Sequence, residues 1–326
     1  MSDIDAPQSD EHPFAAYVRT LGRGPGRSRA LTRDEARDAL RMVLAGAAEP
    51  MQIGAFLMLL RYRGEDAEEI AGLVEAARAA SAGPAAAVDL DWPSYGAGRT
   101  RRAPWFLLAA LALAKAGRRI LMHGSNEFSS SQSVGEALQT LGLQPATDRE
   151  DAARQIETTG FAYLPVGAFA PAIERLLGLR RLLGLRSPIN TAARLLDPFD
   201  AAAGIDGVFH PAYIETHLAT AERLGRTRLA LVKGGGGEAE RNAAKPLTVN
   251  IFQEGAGRSE LVLPALVLPA ENAPDIVALW NGEAEETAEA AIVRGTIALA
   301  LLALEPSLDA LDADRQATTV WAGRHG

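Results

Sequence analysis

Beyond Pro84 the chain alternates short apolar runs with longer helical stretches, and few architectures can accommodate that alternation. Runs too short to be helices, each followed by a helix, bury fully only as strands of a largely parallel sheet covered by its crossover helices. The apolar runs are Val88–Asp91, Arg119–His123, Phe161–Leu164, Ile205–Phe209, Leu229–Val232, Leu247–Phe252 and Leu261–Leu263. The helical stretches lie near 104–116, 133–141, 149–157, 211–223, 273–281 and 285–304. The pattern predicts an α/β domain with a mostly parallel sheet over residues 84–167 and 197–326.

Ahead of Pro84 the texture is helical. Thr32 followed by Glu35 forms a capping box ahead of Leu40, Met42, Val43 and Leu44. Pro50 opens a second helix carrying Ile53, Phe56, Leu57 and Leu60, a third runs from about Asp66 to Ser81, and Gly83-Pro84 ends the series. We expect a small helical domain over 12–83, with a helical contribution from about 168–196. A chain of 326 residues, 48% of them hydrophobic, can bury a core of that extent. Ala and Leu dominate the apolar fraction, which argues against an all-β fold.

The absence of Cys removes disulfides, thiolate nucleophiles and Cys-ligated metals. No apolar run reaches the roughly 18 residues of a membrane span, and Met1 to Pro13 is polar and acidic, unlike a signal peptide. The expectation is a cytoplasmic protein with no membrane partner. A net charge of −8 excludes a uniformly basic nucleic-acid binder, so any such surface must be local. Lys occurs only at 115, 233 and 245. Nearly all positive charge is therefore Arg, which suits bidentate contact with carboxylate or phosphate, although a GC-rich genome gives the same bias.

Several segments carry candidate chemistry. At the first strand-to-helix junction, Gly96-Ala97-Gly98-Arg99-Thr100-Arg101-Arg102 precedes Pro104 and a helix; such glycines either admit an anion at a helix N-terminus or simply turn the chain. At the second, His123-Gly124-Ser125-Asn126 and Ser129-Ser130-Ser131 offer hydroxyls that cap a helix or hold phosphate. His123 is either a proton carrier or a hydrogen-bonded structural residue. Arg175, Arg180, Arg181, Arg186 and Arg194 face the single acid Glu174 in a Leu-rich stretch, as solvated helix faces or as a site for an anion. Arg19, Arg23, Arg27, Arg29 and Arg33, broken by Gly22, Gly24, Pro25 and Gly26, read as a basic loop. Lys233-Gly234-Gly235-Gly236-Gly237-Glu238-Ala239-Glu240 reads as a mobile loop whose two acids face water, the alternative being a carboxylate pair over a metal.

In this order the segments resemble the family of anthranilate phosphoribosyltransferase and the nucleoside phosphorylases, over almost the whole chain. Arg180 to Asn190 and Leu195-Leu196-Asp197-Pro198 track its R-x-E-L-G-x-R-T-x-F-N and L-x-N-P segments, and His210-Pro211 is a second marker. The resemblance implies a helical domain beside an α/β domain that binds phosphoribosyl pyrophosphate with Mg²⁺, the aromatic amine entering between them. The catalytic pattern is broken. The family's G-T-G-G-D-G reads Gly96 to Arg101, its N-I-S-T reads Phe106-Leu107-Leu108-Ala109, and its K-H-G-N reads Met122-His123-Gly124-Ser125. Its D-E metal pair reads Ala239-Glu240, while Arg180 stands at its anthranilate-contacting arginine.

Leu21-Gly22-Arg23-Gly24, Arg61-Tyr62-Arg63-Gly64-Glu65, Pro93-Ser94-Tyr95-Gly96 and Leu164-Pro165-Val166-Gly167-Ala168-Phe169 resemble one branch, the YbiB-type glycosyltransferase-like proteins. That likeness implies a homodimer binding DNA or RNA without sequence preference, here through Arg175, Arg180, Arg181 and Arg186. Gly96, Gly98, Arg99, Arg101, His123, Gly124, Ser129 and Ser130 would then be a vestigial donor or anion site, and Glu240 a vestigial metal ligand. No cofactor and no catalytic residue follow from this reading. The alternative is an active pentosyltransferase using Mg²⁺ and phosphoribosyl pyrophosphate at a modified phosphate site. Either leaves room for a phosphorylated small molecule in the cleft.

Overall fold

The computed structural model describes residues 10–24, 26–96, 103–125, 132–241, 244–273 and 275–325. It divides into two compact units. Unit 1 contains the described residues as far as Ala82, Ala170–Leu196 and Ala219–Leu224; unit 2 contains Gly83–Phe169, Asp197–Leu218 and the described residues from Gly225 on.

In chain order, α1 (Ala15–Gly22), α2 (Arg33–Leu44), α3 (Pro50–Arg63) and α4 (Ala67–Ala80) open unit 1. Thr32 caps α2 and Asp66 caps α4, each with a reciprocal Glu three residues on, and Pro50 is the first residue of α3. The closest helix contact is between α2 and α4. A Cβ on Gly72 of α4 would stand 2.2 Å from the Arg33 carbonyl oxygen and 2.8 Å from the Arg37 nitrogen, so only glycine allows this approach. The segment read as a basic loop is partly helix. Arg19 lies in α1 and pairs with Glu11 at 2.7 Å, Arg29 pairs with Glu35 at 2.6 Å, and Arg33 pairs with Glu75. Acids on both sides of the segment, one of them on α4, draw these arginines in and neutralise them.

Unit 2 continues with β1 (Leu90–Ser94), α5 (Trp105–Lys115), β2 (Ile120–Gly124), α6 (Val134–Thr140), α7 (Arg149–Thr159), β3 (Phe161–Pro165) and α8 (Val166–Phe169). The chain returns to unit 1 for α9 (Pro171–Gly178), α10 (Arg180–Leu183) and α11 (Ile189–Arg194). There follow β4 (Ala203–Val208), α12 (Tyr213–Arg223), β5 (Arg228–Lys233), β6 (Leu247–Gln253), β7 (Gly257–Leu263), α13 (Ile276–Trp280), α14 (Ala288–Leu304) and α15 (Ala310–Ala322).

The seven strands form one sheet in the order β3-β2-β1-β4-β5-β6-β7. The β3-β2-β1-β4-β5 pairs are parallel, and β6 and β7 add antiparallel. β1 reaches farther than its apolar run because β4 pairs with it only at Leu90 and Asp91. Past that point Pro93 has an open side, where a missing N–H costs no ladder bond. Chain order reverses between β1 and β4, the place where open α/β sheets form crevices beyond their strand ends.

The core of unit 2 centres on α5 and α14. Every residue of α5 from Trp105 to Ala114 is buried, and α14 is buried over almost its whole length. Helices apolar all round belong inside a core, and these two pack on each other beneath the sheet. Among the described residues no helix is long and apolar enough to cross a membrane.

Candidate functional site

In unit 2 the strands β1, β2 and β4 and the segments leading into β4 and β5 bring buried polar groups together. Asp91 of β1 and His123 of β2 are fully buried, with His123 Nε2 3.2 Å from Asp91 Oδ1. The Tyr95 hydroxyl is 2.9 Å from His123 Nδ1. In the tautomer that carries its proton on Nε2, that nitrogen faces the Asp91 carboxylate and Nδ1 accepts from the phenol. The Phe169 ring meets the imidazole edge-on at 6.1 Å.

On its other oxygen Asp91 accepts from both terminal nitrogens of Arg226, at 3.1 and 3.2 Å. Arg226 also reaches Asp197 Oδ2 at 3.1 Å. Room for this guanidinium comes from Gly204, where a Cβ would sit 2.7 Å from Arg226 Nη2. Burial raises the pKa of Asp91, yet His123 and Arg226 outweigh it and hold the carboxyl below its ordinary range. Arg226 is raised despite burial, by Asp197 and Asp91. Next along the sheet, Asp206 Oδ2 of β4 contacts His217 Nδ1 at 3.0 Å, both buried.

The glycine-rich segment after β5 is a fixed turn, which corrects its reading as a mobile loop. Gly235–Gly237 forms a single 3₁₀ turn, with Gly236 and Gly237 at positive φ, and Gly234 donates to the Val208 carbonyl. Nor do its acids face water. Glu238 is 1% exposed, and Gly96, Gly207 and Gly234 crowd it so closely that a Cβ on any of them would stand 2.8, 2.5 or 1.8 Å from a Glu238 atom. Glu240 Oε2 accepts from the Phe106 amide at 3.0 Å, in the first turn of α5. Pro104 at that helix start offers no side-chain cap, so a carboxylate from another loop supplies the negative charge the helix dipole favours. Glu240 is held there because the next amide, Arg241 N–H, donates to Thr296 Oγ1 at 3.0 Å.

Of the sequence-predicted site, Gly98, Arg99, Arg101, Ser129 and Ser130 lie outside the described residues. Gly124 pairs with Ser94 so tightly that a Cβ would be 1.8 Å from its carbonyl oxygen, a packing reason for this glycine. His123 is enclosed with Asp91, Tyr95 and Phe169. The residues present do not fit the Mg²⁺ that the resemblance implies. Ala239 has no ligand atom, Glu240 faces an amide, and no group of three or more His, Asp or Glu among the described residues is placed to hold a metal.

Within unit 1, Arg175 of α9 and Arg181 of α10 are exposed, and Arg180 and Arg186 are half-buried. Burial lowers the Arg186 pKa, and the positive charges of Arg180, Arg194 and Arg61 lower it further. Arg61, Arg180 and Arg194 thus lie near enough for their charge to act on Arg186, and Arg194 is itself buried. Arg61 is the member that local charge density misses, because it comes from α3. Only its place in the Arg61-Tyr62-Arg63-Gly64 motif marked it.

Residues 15–81 match the helical bundle domain of a glycosyl transferase family, and residues 106–305 match the a/b domain. The chain belongs to that glycosyl transferase family. It is 31% identical to the anthranilate phosphoribosyltransferase of Methylocella silvestris over 288 residues, covering 83% of this chain and 81% of the relative. It is also 31% identical over 270 residues to that of Moorella thermoacetica, covering 82% and 78%. The crystal structure of the anthranilate phosphoribosyltransferase of Thermus thermophilus superposes with a TM-score of 0.79 at 24% identity, covering 95% of this chain and 94% of that one. The Saccharomyces cerevisiae enzyme in complex with PRPP and Mg gives 0.73 at 16%, with the same coverage. These two likenesses show the shared fold.

Proposed function

We propose that this family member binds an extended polyanion, a nucleic acid without sequence preference, through the arginines of unit 1, and that it no longer transfers phosphoribose to anthranilate. The observation that carries the reading is the like charge that Arg61, Arg180 and Arg194 bring to the half-buried Arg186. Guanidinium groups placed in this way suit the oxygens of a phosphate chain. The Glu240 carboxylate on the Phe106 amide supports the second half, since a pyrophosphate at that helix start would meet a negative group already in place. Membership of the YbiB-type branch and a homodimeric state belong to the same proposal.

Salt titration of single-stranded DNA binding by fluorescence anisotropy tests it. Log affinity should fall linearly with log salt, by about 0.7 per phosphate contact. A flat salt response, or unchanged affinity after Ala replaces all four arginines, refutes it. Sedimentation in the same buffers reads the dimer.

The relatives support a second reading more directly, since each one named above is an anthranilate phosphoribosyltransferase. In that reading the chain is an active pentosyltransferase with a modified phosphate site, in which Arg99, Arg101 and Arg102 replace the metal as partners of the pyrophosphate. Calorimetry with phosphoribosyl pyrophosphate separates the two. Heat that is saturable and independent of Mg²⁺ favours the transferase; no heat at millimolar donor favours the polyanion binder.

A further inference from the structure

The Tyr95–His123–Asp91 chain has an order that neither reading uses. A hydroxyl is hydrogen-bonded to an imidazole at 2.9 Å, and the far nitrogen of that imidazole lies 3.2 Å from a buried carboxylate. The carboxylate is itself fixed by Arg226, and the ring is fixed by Phe169. Nucleophile, base and orienting acid in this sequence form the recurring geometry of an activated hydroxyl. His123 and Asp91 are sealed from water while Tyr95 is partly exposed, so the phenol is the member within reach of a substrate. It stands one residue before Gly96, at the strand end where chain order reverses in the sheet.

The geometry points to Tyr95 as an activated nucleophile, with His123 as its base and Asp91 as the positioning residue, acting on an electrophilic carbon such as the anomeric carbon of a glycosyl donor. In that step the Tyr95 oxygen bonds to the anomeric carbon as its bond to the leaving group breaks. The leaving group departs with the electron pair, and the phenol proton passes to His123 Nδ1. Attack by an acceptor hydroxyl or amine then frees the phenolate, which recovers its proton from His123, and the acceptor proton goes to solvent. The proposal needs neither Mg²⁺ nor a pyrophosphate at α5, and it goes beyond the polyanion reading.

Labelling of the full chain with an aryl sulfonyl fluoride tests it by mass spectrometry. Sulfur replaces the anomeric carbon, fluoride is the leaving group, and the proton follows the same path. Tyr62, 92% exposed, is the internal reference for an unassisted phenol. Tyr95 should label roughly 10²-fold faster than Tyr62, the scale of assistance by a positioned base. His123→Asn should bring Tyr95 to the Tyr62 rate or below while Tyr62 itself is unchanged. Asp91→Asn, which leaves the base but removes its orienting charge, gives an intermediate rate and serves if the first variant does not fold. Labelling of Tyr95 no faster than Tyr62 in the unaltered chain overturns the proposal, as does a rate unmoved in a folded His123→Asn or Asp91→Asn variant. None of these outcomes depends on nucleic-acid or donor binding.

Discussion

Replacing Arg226 by Met keeps the bulk of the side chain and removes the one cation between Asp91 and Asp197. Asp91, Asp197 and Arg226 are 1%, 3% and 5% exposed, so water cannot take over the lost charge. Breaking a buried pair in this way costs about 3–5 kcal/mol. For a unit of this size that corresponds to a fall in Tm of roughly 10 °C. The assay is urea unfolding followed by tryptophan fluorescence. Trp92, Trp105, Trp280 and Trp321 all lie in unit 2, so the signal reports that unit alone. The pH dependence carries the sign. Asp91 is held below its ordinary pKa in the folded chain, so its contribution is complete above the unfolded value of about 3.9 and is lost as pH falls through the folded value. The variant lacks that depression from Arg226, and its deficit should therefore be largest near neutrality and shrink below about pH 4. Adding Asp91→Asn to the variant should recover part of the loss. A deficit under about 1 kcal/mol at pH 7, or one equally large at pH 3.5, refutes the reasoning.

Other perturbations read other parts of the molecule. Glu240→Ala should cost about 1 kcal/mol in the same fluorescence assay, and Glu240→Gln about half of that, because the acceptor survives without its charge. Gly72→Ala places a methyl against backbone that cannot rotate away, and should destabilise unit 1 by roughly 1–3 kcal/mol; hydrogen exchange in α2 and α4 reads this where tryptophan is silent. Each arginine among 61, 180 and 186 replaced by Ala should reduce the salt slope of DNA binding by about 0.7, and a slope that stays constant shows that residue makes no phosphate contact.

Fold class was legible because it depends on local signals. The cap at Thr32, the helix starts at Pro50 and near Asp66, and the short apolar runs all became elements within a few residues of their predicted positions. α15 is absent from the pattern because its buried residues, Ala313, Ala317 and Trp321, form a narrow stripe of mostly small side chains in a polar segment. β7 is longer than its apolar run because an edge strand keeps exposed polar residues on the ladder. The site was less legible, since its partners come from distant segments. Nothing near Arg226 announces Asp91 or Asp197, and nothing near Glu240 announces the Phe106 amide. Glycine misleads for the same reason: Gly234 reads as freedom along the chain and acts as clearance across it.

Gly204 and Arg226 tie the history of this chain to an order of events. The guanidinium fills the space that a side chain at 204 would need, so any ancestor with a larger residue there could not have held Arg226 in its present place. On that geometry a glycine at 204 is a precondition for the arginine, and the arginine is what lets the two buried aspartates stand together. A methyl group at 204 would stand 2.7 Å from Arg226 Nη2 and force the cation to shift against Asp91 and Asp197. Relatives should therefore divide into two groups, those with all four residues and those with none of the three charges, with glycine at 204 surviving alone in a few.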